Sequence, residues 1–242
     1  FRTAYNISNI FLEMSIKGIS AVGMTYVLIA GGLDLSIGGI LALAGMIGGL
    51  CMLKTGSWLM GIAVMLAVGF IIGLLNGVLI TRLRLVPFIV TLGMACLARG
   101  LALLSTRAQS LYDFPKQIVF IGGGKIGVVP VAVIITVATF VIGHLVLTRT
   151  SFGRLVQVVG ANPVAARLSG VNVEKITIWV YMVSGICTGL ASIIQIGKLN
   201  AAKPTIGQGI ELEVIPAVVI GGTSLLGGKR KHLRDVLRRL SD

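Results

Sequence analysis

Charged residues are scarce in this 242-residue chain: only 12% of its positions are Asp, Glu, Lys or Arg, and eight of these residues are acidic. A soluble domain carries about twice that charged fraction. The scarcity therefore excludes an ordinary cytosolic enzyme and a disordered segment. Hydrophobic residues instead make up 55% of the chain, and its mean hydropathy is +0.99. This composition predicts an integral membrane protein.

Cysteine and histidine are also rare. The three cysteines, Cys51, Cys96 and Cys187, are odd in number, far apart and each inside an apolar run. They match neither a disulfide framework nor a metal-ligand spacing, and we expect buried thiols. The two histidines, His144 and His232, have no Cys, Asp or Glu partner at ligand spacing. The sequence therefore predicts no catalytic site, no metal site and no cofactor in this chain.

Basic residues outnumber acidic ones by 21 to eight, for a net charge of +13. Six of the basic residues lie in the last fourteen positions, Lys229 to Asp242, and the others punctuate apolar runs. We therefore do not expect a nucleic-acid partner, and we treat residues 229–242 as a separate basic tail.

Seven charge-free apolar windows predict membrane-spanning segments. A spanning helix needs about 20 apolar residues. Four windows are long enough: Leu35–Leu53, Thr55–Thr81, Ile126–Thr148 and Ile176–Gly197. Three are shorter, and each must either be extended by flanking polar turns or be a short or broken helix: Gly18–Leu33, Leu85–Ala98 and Val214–Gly228. The predicted fold class is an all-α, polytopic transmembrane helix bundle with about seven membrane segments in this chain.

Glycine spacing predicts close helix packing within this bundle. Gly69, Gly73 and Gly77 recur at every fourth position, and Gly185 and Gly189 repeat the GxxxG pattern. Small residues at this spacing let the backbones of membrane helices approach each other.

Two isolated charges lie within the apolar runs. Asp34 is flanked by glycines, and either Asp34 or Ser36 could cap a helix N-terminus. The alternative is that Asp34 has a transport role, because acids inside a membrane are costly and usually functional. Arg99 either lines a polar path or extends to a membrane interface, and the sequence leaves both open.

Four stretches resemble one known family. They are residues 31–38 (GGLDLSIG), 86–94 with 98–100 (VPFIVTLGM, ARG), 150–172 (with SFGR and GANP) and 209–225 (with AVVIGGTSL). Together they resemble the permease subunits of bacterial ATP-binding-cassette importers for monosaccharides, in the ribose, xylose and arabinose branch. The resemblance runs in order from about Asn6 to Lys229.

This resemblance implies a membrane-spanning permease subunit of an ATP-driven sugar importer, for a ribose-like monosaccharide, in the bacterial inner membrane. The chain would form the translocation path and would not itself be an enzyme. ATP and Mg would be bound by a partner ATPase subunit. The other implied partners are a periplasmic sugar-binding protein, a second permease copy in a homodimer and membrane lipid.

The resemblance also implies roles for individual residues. Residues 149–175 would form a cytoplasmic coupling loop that docks on the ATPase, with a short helix after the Asn162-Pro163 break. The implied coupling residues are Gly153, Arg154, Gly160, Asn162, Pro163, Ala165, Ala166, Arg167 and Gly170. The candidates for the translocation path or its structure are Asp34, Ser36, Arg99, Glu211, Gly221 and Gly222.

The sequence departs from the family pattern at three places. A first helix before Phe1 is absent, and Pro216 stands where the family usually has alanine. After Lys229 the family continues with a glycine-rich helix, whereas the chain has its basic tail. We therefore expect residues 1–228 to be the permease domain and the tail to be a frameshifted end of a truncated product.

Two other functions also agree with the sequence. One is an ion-coupled secondary carrier in which Asp34 is the coupling acid. The other is a membrane remnant that does not transport.

Overall fold

The computed structural model describes residues 4–222, which contain ten helices and four two-residue strands. The long helices are α1 (Ala4–Ile29), α2 (Ile37–Thr55), α3 (Trp58–Arg82), α4 (Pro87–Ser105), α6 (Val131–Arg149) and α9 (Val173–Leu199). The shorter ones are α5 (Lys116–Gly123), α7 (Ser151–Ala161), α8 (Pro163–Leu168) and α10 (Ile210–Ile220). The strands are β1 (Leu111–Tyr112), β2 (Lys125–Ile126), β3 (Val129–Pro130) and β4 (Ala201–Ala202). The basic tail and its expected frameshift lie outside the described residues.

Within residues 4–222, six helices are long and apolar enough to span a membrane. They are α2, α3, α4, α6, α9 and, from Ser8 onward, α1. The shortest has 19 residues, which at 1.5 Å rise per residue gives about 28 Å, close to the thickness of the hydrocarbon layer. The predicted all-α, polytopic fold class is confirmed.

Two of the three windows expected to be short belong to full-length helices. Residues 18–29 of the first window lie in α1, which extends back through Lys17 and Glu13, and residues 87–98 of the second lie in α4, which continues through Arg99. Of the two alternatives, extension by flanking polar residues is confirmed for both windows and a broken helix is wrong, because these three charges have partners within the bundle. The third window overlaps α10, which begins before it at Ile210, is short, at 11 residues, and includes Pro216; the residues of the window after Gly222 lie outside the described range.

Glycines allow α3 and α9 to pack with their backbones in contact. A Cβ atom added at Gly69 would overlap the carbonyl oxygen of Gly185, and one added at Gly185 would overlap the carbonyl oxygen of Gly69. Gly73 lies in the same way against the backbone of Tyr181. The prediction of close packing at these glycines is confirmed.

The two ends of the bundle differ in structure. At one end, α7 and α8 connect the end of α6 to the start of α9. At the other end, α5 packs on α9, β1 pairs with β4, and β2 pairs with β3, both antiparallel. We call these the α7–α8 end and the α5 end.

The three cysteines have different environments. Cys187 is buried, Cys51 is half-buried and Cys96 is exposed on α4. The expectation of buried thiols is therefore wrong for Cys96, which lies on a helix face that the described residues do not cover.

Candidate functional site

The chain between α1 and α2 is not helical, and this break lies deep in the bundle. Gly31 has a positive φ of 79°, a conformation that glycine adopts without steric cost. The hydroxyl of Tyr181 on α9 donates a 3.1 Å hydrogen bond to the Leu33 carbonyl. Tyr181 is about a third of the way along the 27-residue α9, so the break is held well away from either end of the bundle.

Asp34 lies at this break in a fully buried polar network. Its Oδ1 accepts hydrogen bonds from the backbone N–H of Ser36 at 2.9 Å and from the Ser36 hydroxyl at 2.5 Å. Its Oδ2 accepts a 2.8 Å hydrogen bond from the hydroxyl of Ser184 on α9. Asn76 on α3 donates to the Ser36 hydroxyl oxygen at 2.8 Å. The break is thus joined to α9 through Asp34 and to α3 through Ser36.

The capping interpretation of Asp34 and Ser36 is wrong in its geometry. Ser36 occupies the N-cap position of α2, but its side chain accepts no hydrogen bond from the helix. Its hydroxyl instead donates to Asp34. Sequence reasoning also missed Asn76, the one amide in the apolar run of α3, and Ser184, one of several small polar residues along α9. Polar residues within a span often mark a polar contact between membrane helices.

Arg99 and Glu211 form a second polar group beside the start of α2. The Nη1 atom of Arg99 donates 3.0 Å hydrogen bonds to the carbonyls of Pro204 and Ile206. A Cβ atom added at Gly38 would lie 2.7 Å from Glu211 Oε2 and 3.5 Å from Arg99 Nη2. The structure therefore brings these two predicted residues together, and Arg99 binds protein carbonyls inside the bundle instead of extending to an interface.

The segment before α10 folds back to reach this position. Gly207 has a φ of 69° and Gly209 has a φ of 80°, and both values favour glycine. The Gly207 carbonyl oxygen would lie 2.5 Å from a Cβ atom at Gly38. The first turn of α10 is thereby placed against the first turn of α2.

Glu213 on α10 pairs with Lys17 on α1. The two side chains are 38% and 58% exposed, for Lys17 and Glu213 respectively. They line a groove of about 460 Å³ between α1, α6 and α10, which also includes Thr25 and Gly221. Gly222 follows with a φ of 100°. Gly221 and Gly222 lie at the far end of α10 and do not join the group of Arg99 and Glu211.

The predicted helix after the Asn162-Pro163 break is present as α8. Asn162 Oδ1 accepts 3.0 Å hydrogen bonds from the N–H groups of Val164 and Ala165, so it caps this helix. Pro163 occupies the first turn, where its missing N–H costs nothing. Gly170, with a φ of 80°, follows the end of the helix.

The exposed residues of α8 differ from those expected to dock. Ala166 is only 1% exposed and packs in the hydrophobic core, so the expectation that it contacts a partner is wrong. Ala165 and Arg167 are exposed, and Leu168 is 85% exposed. On α7, Arg154 is exposed and donates a 3.0 Å hydrogen bond to the Ser151 hydroxyl.

Two glycines of α7 make internal backbone contacts. A Cβ atom at Gly153 would overlap the carbonyl of Leu147 at the end of α6. A Cβ atom at Gly160 would overlap the carbonyl of Ile29 at the end of α1. Both glycines therefore hold α7 against the spanning helices and are not free for a partner.

Comparison with known proteins assigns the chain to a family. Residues 6–228 match the family described as the permease component of the branched-chain amino acid transport system. The chain is 40% identical to the ribose import permease protein RbsC of Escherichia coli K12, over 95% of this chain and 73% of that protein. It is 36% identical to the D-allose transport system permease protein AlsC of the same organism, over 95% and 71%. It is also 36% identical to the L-arabinose ABC transporter permease protein AraH of Azospirillum brasilense, over 94% and 67%.

No solved structure matches the chain. The six spanning helices and the match over residues 6–228 nevertheless agree with the sequence resemblance. The chain therefore belongs to this family of transport permease components, as a multi-pass protein of the inner membrane.

Proposed function

We propose that the chain is the permease subunit of an ATP-driven importer for a ribose-like monosaccharide. The observation that carries this proposal is its 40% identity to a ribose import permease along almost its whole length. The other relatives named above carry allose and arabinose in their names. A bundle of spanning helices with polar groups at its centre suits a path for a polar solute.

ATP and Mg bind to a partner ATPase in this proposal, and α7 and α8 dock on that partner at the cytoplasmic end of the bundle. Val164 and Leu168 are exposed apolar residues of α8, and the exposed Arg167 lies between them in sequence. A short capped helix with apolar anchors and a basic group suits a groove in another protein. Residues 149–175 therefore remain the coupling segment, with Leu168 in place of Ala166 as the anchor.

A periplasmic sugar-binding protein docks at the α5 end, and a second copy of the chain completes a homodimer surrounded by membrane lipid. The ion pair of Lys17 and Glu213 favours contact with protein or water, instead of lipid, on its side of the bundle. Lys17 lies near the middle of α1, and lipid solvates charged groups poorly at such a depth.

An ion-coupled carrier is the competing function. A coupling acid must exchange its ion with water. Asp34 is fully buried, and both of its oxygens accept hydrogen bonds from the protein. This geometry favours a structural role and thus the ATP-driven importer.

The test is uptake by proteoliposomes that contain the chain, an ATP-binding-cassette ATPase subunit and a sugar-binding protein of the same importer class. We expect uptake of labelled D-ribose, L-arabinose or D-allose that requires ATP and the binding protein. Uptake that instead follows a proton or sodium gradient without ATP supports the carrier. A membrane-inserted chain that takes up none of these sugars under either condition contradicts the proposal and supports a remnant.

A further inference from the structure

We infer that Arg99 and Glu211 are sugar contacts in the translocation path, with Arg99 donating hydrogen bonds to a sugar hydroxyl and Glu211 accepting them. This inference rests on the proposed sugar-import function, and names the side chains that would contact the solute.

The spacing between the two charged groups fits an intervening hydroxyl. Glu211 Oε2 and Arg99 Nη2 lie 2.7 and 3.5 Å from one point, the position of a Cβ atom added at Gly38. They are therefore at most about 6 Å apart, and they form no ion pair within 4.0 Å. Two hydrogen bonds that meet at one oxygen span about 5 to 6 Å. This separation allows one hydroxyl oxygen to contact both groups, but only from the side away from Gly38, because the point between them lies 2.5 Å from the Gly207 carbonyl oxygen.

A sugar hydroxyl has the chemistry that this pair requires. It accepts a hydrogen bond through a lone pair and donates one through its proton, whereas a guanidinium only donates and an ionised carboxylate only accepts. Bonds to charged groups are also stronger than bonds between neutral groups. The two side chains are thus complementary to a polyol and not to an apolar solute.

The Arg99 side chain is held in place before a solute arrives. Its Nη1 donates to the carbonyls of Pro204 and Ile206, while Nη2 and Nε donate to no residue in the range 4–222. Fixing one nitrogen orients the planar guanidinium and leaves its other donors for a ligand. A preorganised donor loses little conformational freedom on binding.

Exposure separates this pair from the other polar network. Asp34, Ser36, Asn76 and Ser184 are fully buried, so a solute cannot reach them without opening the bundle. Arg99 and Glu211 are each half-buried. They are therefore partly accessible, beside the first turns of α2 and α10.

The first experiment compares Glu211→Gln with Glu213→Gln in proteoliposomes that contain the ATPase, the binding protein and labelled D-ribose. Glu213 lies two residues away on α10 and pairs with Lys17, which makes it the matched control. We expect Glu211→Gln to lower the ribose uptake rate about tenfold or more, because a charged acceptor is lost. Its ATPase rate, stimulated by the binding protein, should stay within about twofold of the wild type.

A purely structural role for Glu211 would lower uptake and ATPase rates together, and that result would overturn the inference. Wild-type uptake by Glu211→Gln would also overturn it. A wild-type chain that transports no sugar contradicts the proposed function itself, so the two failures are distinguishable.

The second experiment measures access directly, because Arg99 variants also lose the bonds to Pro204 and Ile206. Glu211→Cys is made in a chain whose three native cysteines are replaced by alanine. We expect a water-soluble thiol reagent to label this cysteine during turnover, and D-ribose to slow the labelling at least threefold. Labelling that D-ribose does not change, or no labelling at all, would contradict the contact.

Discussion

Ser184 on α9 donates a 2.8 Å hydrogen bond to Oδ2 of Asp34, 150 residues earlier in the chain. This bond ties the break between α1 and α2 to the helix at the centre of the bundle. Because both residues are fully buried, water cannot replace either partner. The segment between α1 and α2 therefore keeps this conformation only if residue 34 has a similar size and accepts the same hydrogen bonds.

We expect Asp34→Asn to retain uptake and Asp34→Ala to lose the folded protein. The asparagine oxygen replaces Oδ1 toward Ser36, and its amide can donate to Ser184 once that hydroxyl rotates. Alanine leaves the Ser36 N–H and two hydroxyls without a partner, at about 1–3 kcal/mol for each unsatisfied group. Thermal stability in detergent, followed by size-exclusion chromatography, measures the difference.

The same pair of variants tests ion coupling. Asparagine cannot exchange a proton, so a coupling acid would not tolerate it. If Asp34→Asn abolishes uptake while its membrane level and stability remain normal, the structural role assigned to Asp34 is wrong.

Gly185→Ala should disrupt the contact between α3 and α9. Its Cβ atom would overlap the carbonyl oxygen of Gly69, and backbone atoms cannot move aside as a flexible side chain can. We expect a loss of about 2 kcal/mol or more in the free energy of unfolding.

The matched control for Gly185→Ala is Gly93→Ala on α4, because a Cβ atom at Gly93 meets no described atom within 4 Å. Alanine favours a helix over glycine by up to about 1 kcal/mol, so this variant should be neutral or slightly more stable. Equal melting temperatures for the two variants would contradict the close contact between α3 and α9.

Leu168→Asp and Ala166→Asp should fail in different ways. Leu168 is almost fully exposed, so its replacement leaves the bundle folded but places an acid at the proposed ATPase contact. Ala166 lies in the core, and a buried unpaired carboxylate costs several kcal/mol. We expect Leu168→Asp to insert normally without co-purifying the ATPase, and Ala166→Asp to reduce the amount of folded chain.

Arg154→Ala serves as a comparison for docking, since Arg154 is exposed on the neighbouring α7. Normal co-purification of the ATPase with Leu168→Asp would exclude α8 from the contact. A comparable loss with Arg154→Ala would extend the contact to α7.

Removing Glu13 alone should destabilise the chain more than removing Glu13 and Lys198 together. Lys198 pairs with Glu13, and its side chain is 13% exposed, so Glu13→Gln leaves a mostly buried cation without its partner. Replacement of both members of such a pair is often neutral. A double-mutant cycle on thermal stability measures the coupling, and purely additive effects would show that the pair contributes nothing.

The sequence predicted the helices well where the apolar runs carried no charge. The windows stopped short of the full α1 and α4 because the partners of their charges are distant in the chain. In α1, Lys17 bonds Glu213 and Glu13 bonds Lys198, 196 and 185 residues apart. In α4, Arg99 bonds the carbonyls of Pro204 and Ile206. A window that stops at each charge cannot include such partners. The limits of α1 and α4 therefore depend on tertiary contacts, which a hydropathy window does not detect.

The candidate site was predicted only in part. Asp34 and Arg99 were chosen as isolated charges, Ser36 as a candidate helix cap and Glu211 from the family resemblance. Their division into two groups depends on how the segments before α2 and α10 fold back. Asn76 and Ser184 were missed because one amide or hydroxyl barely changes the hydropathy of a span. Ala166 was misassigned because the sequence does not reveal which side of a six-residue helix faces the core.

The contact of Gly160 with the Ile29 carbonyl has a mechanical consequence. Side chains at an interface absorb a small displacement by changing rotamer, whereas two touching backbones in a close-packed interior cannot. A displacement of α7 toward α1 therefore requires the end of α1 to move as well, and Ile29 lies only five residues before Asp34. The α7–α8 end is thus in direct backbone contact with the end of α1, immediately before the break that contains Asp34.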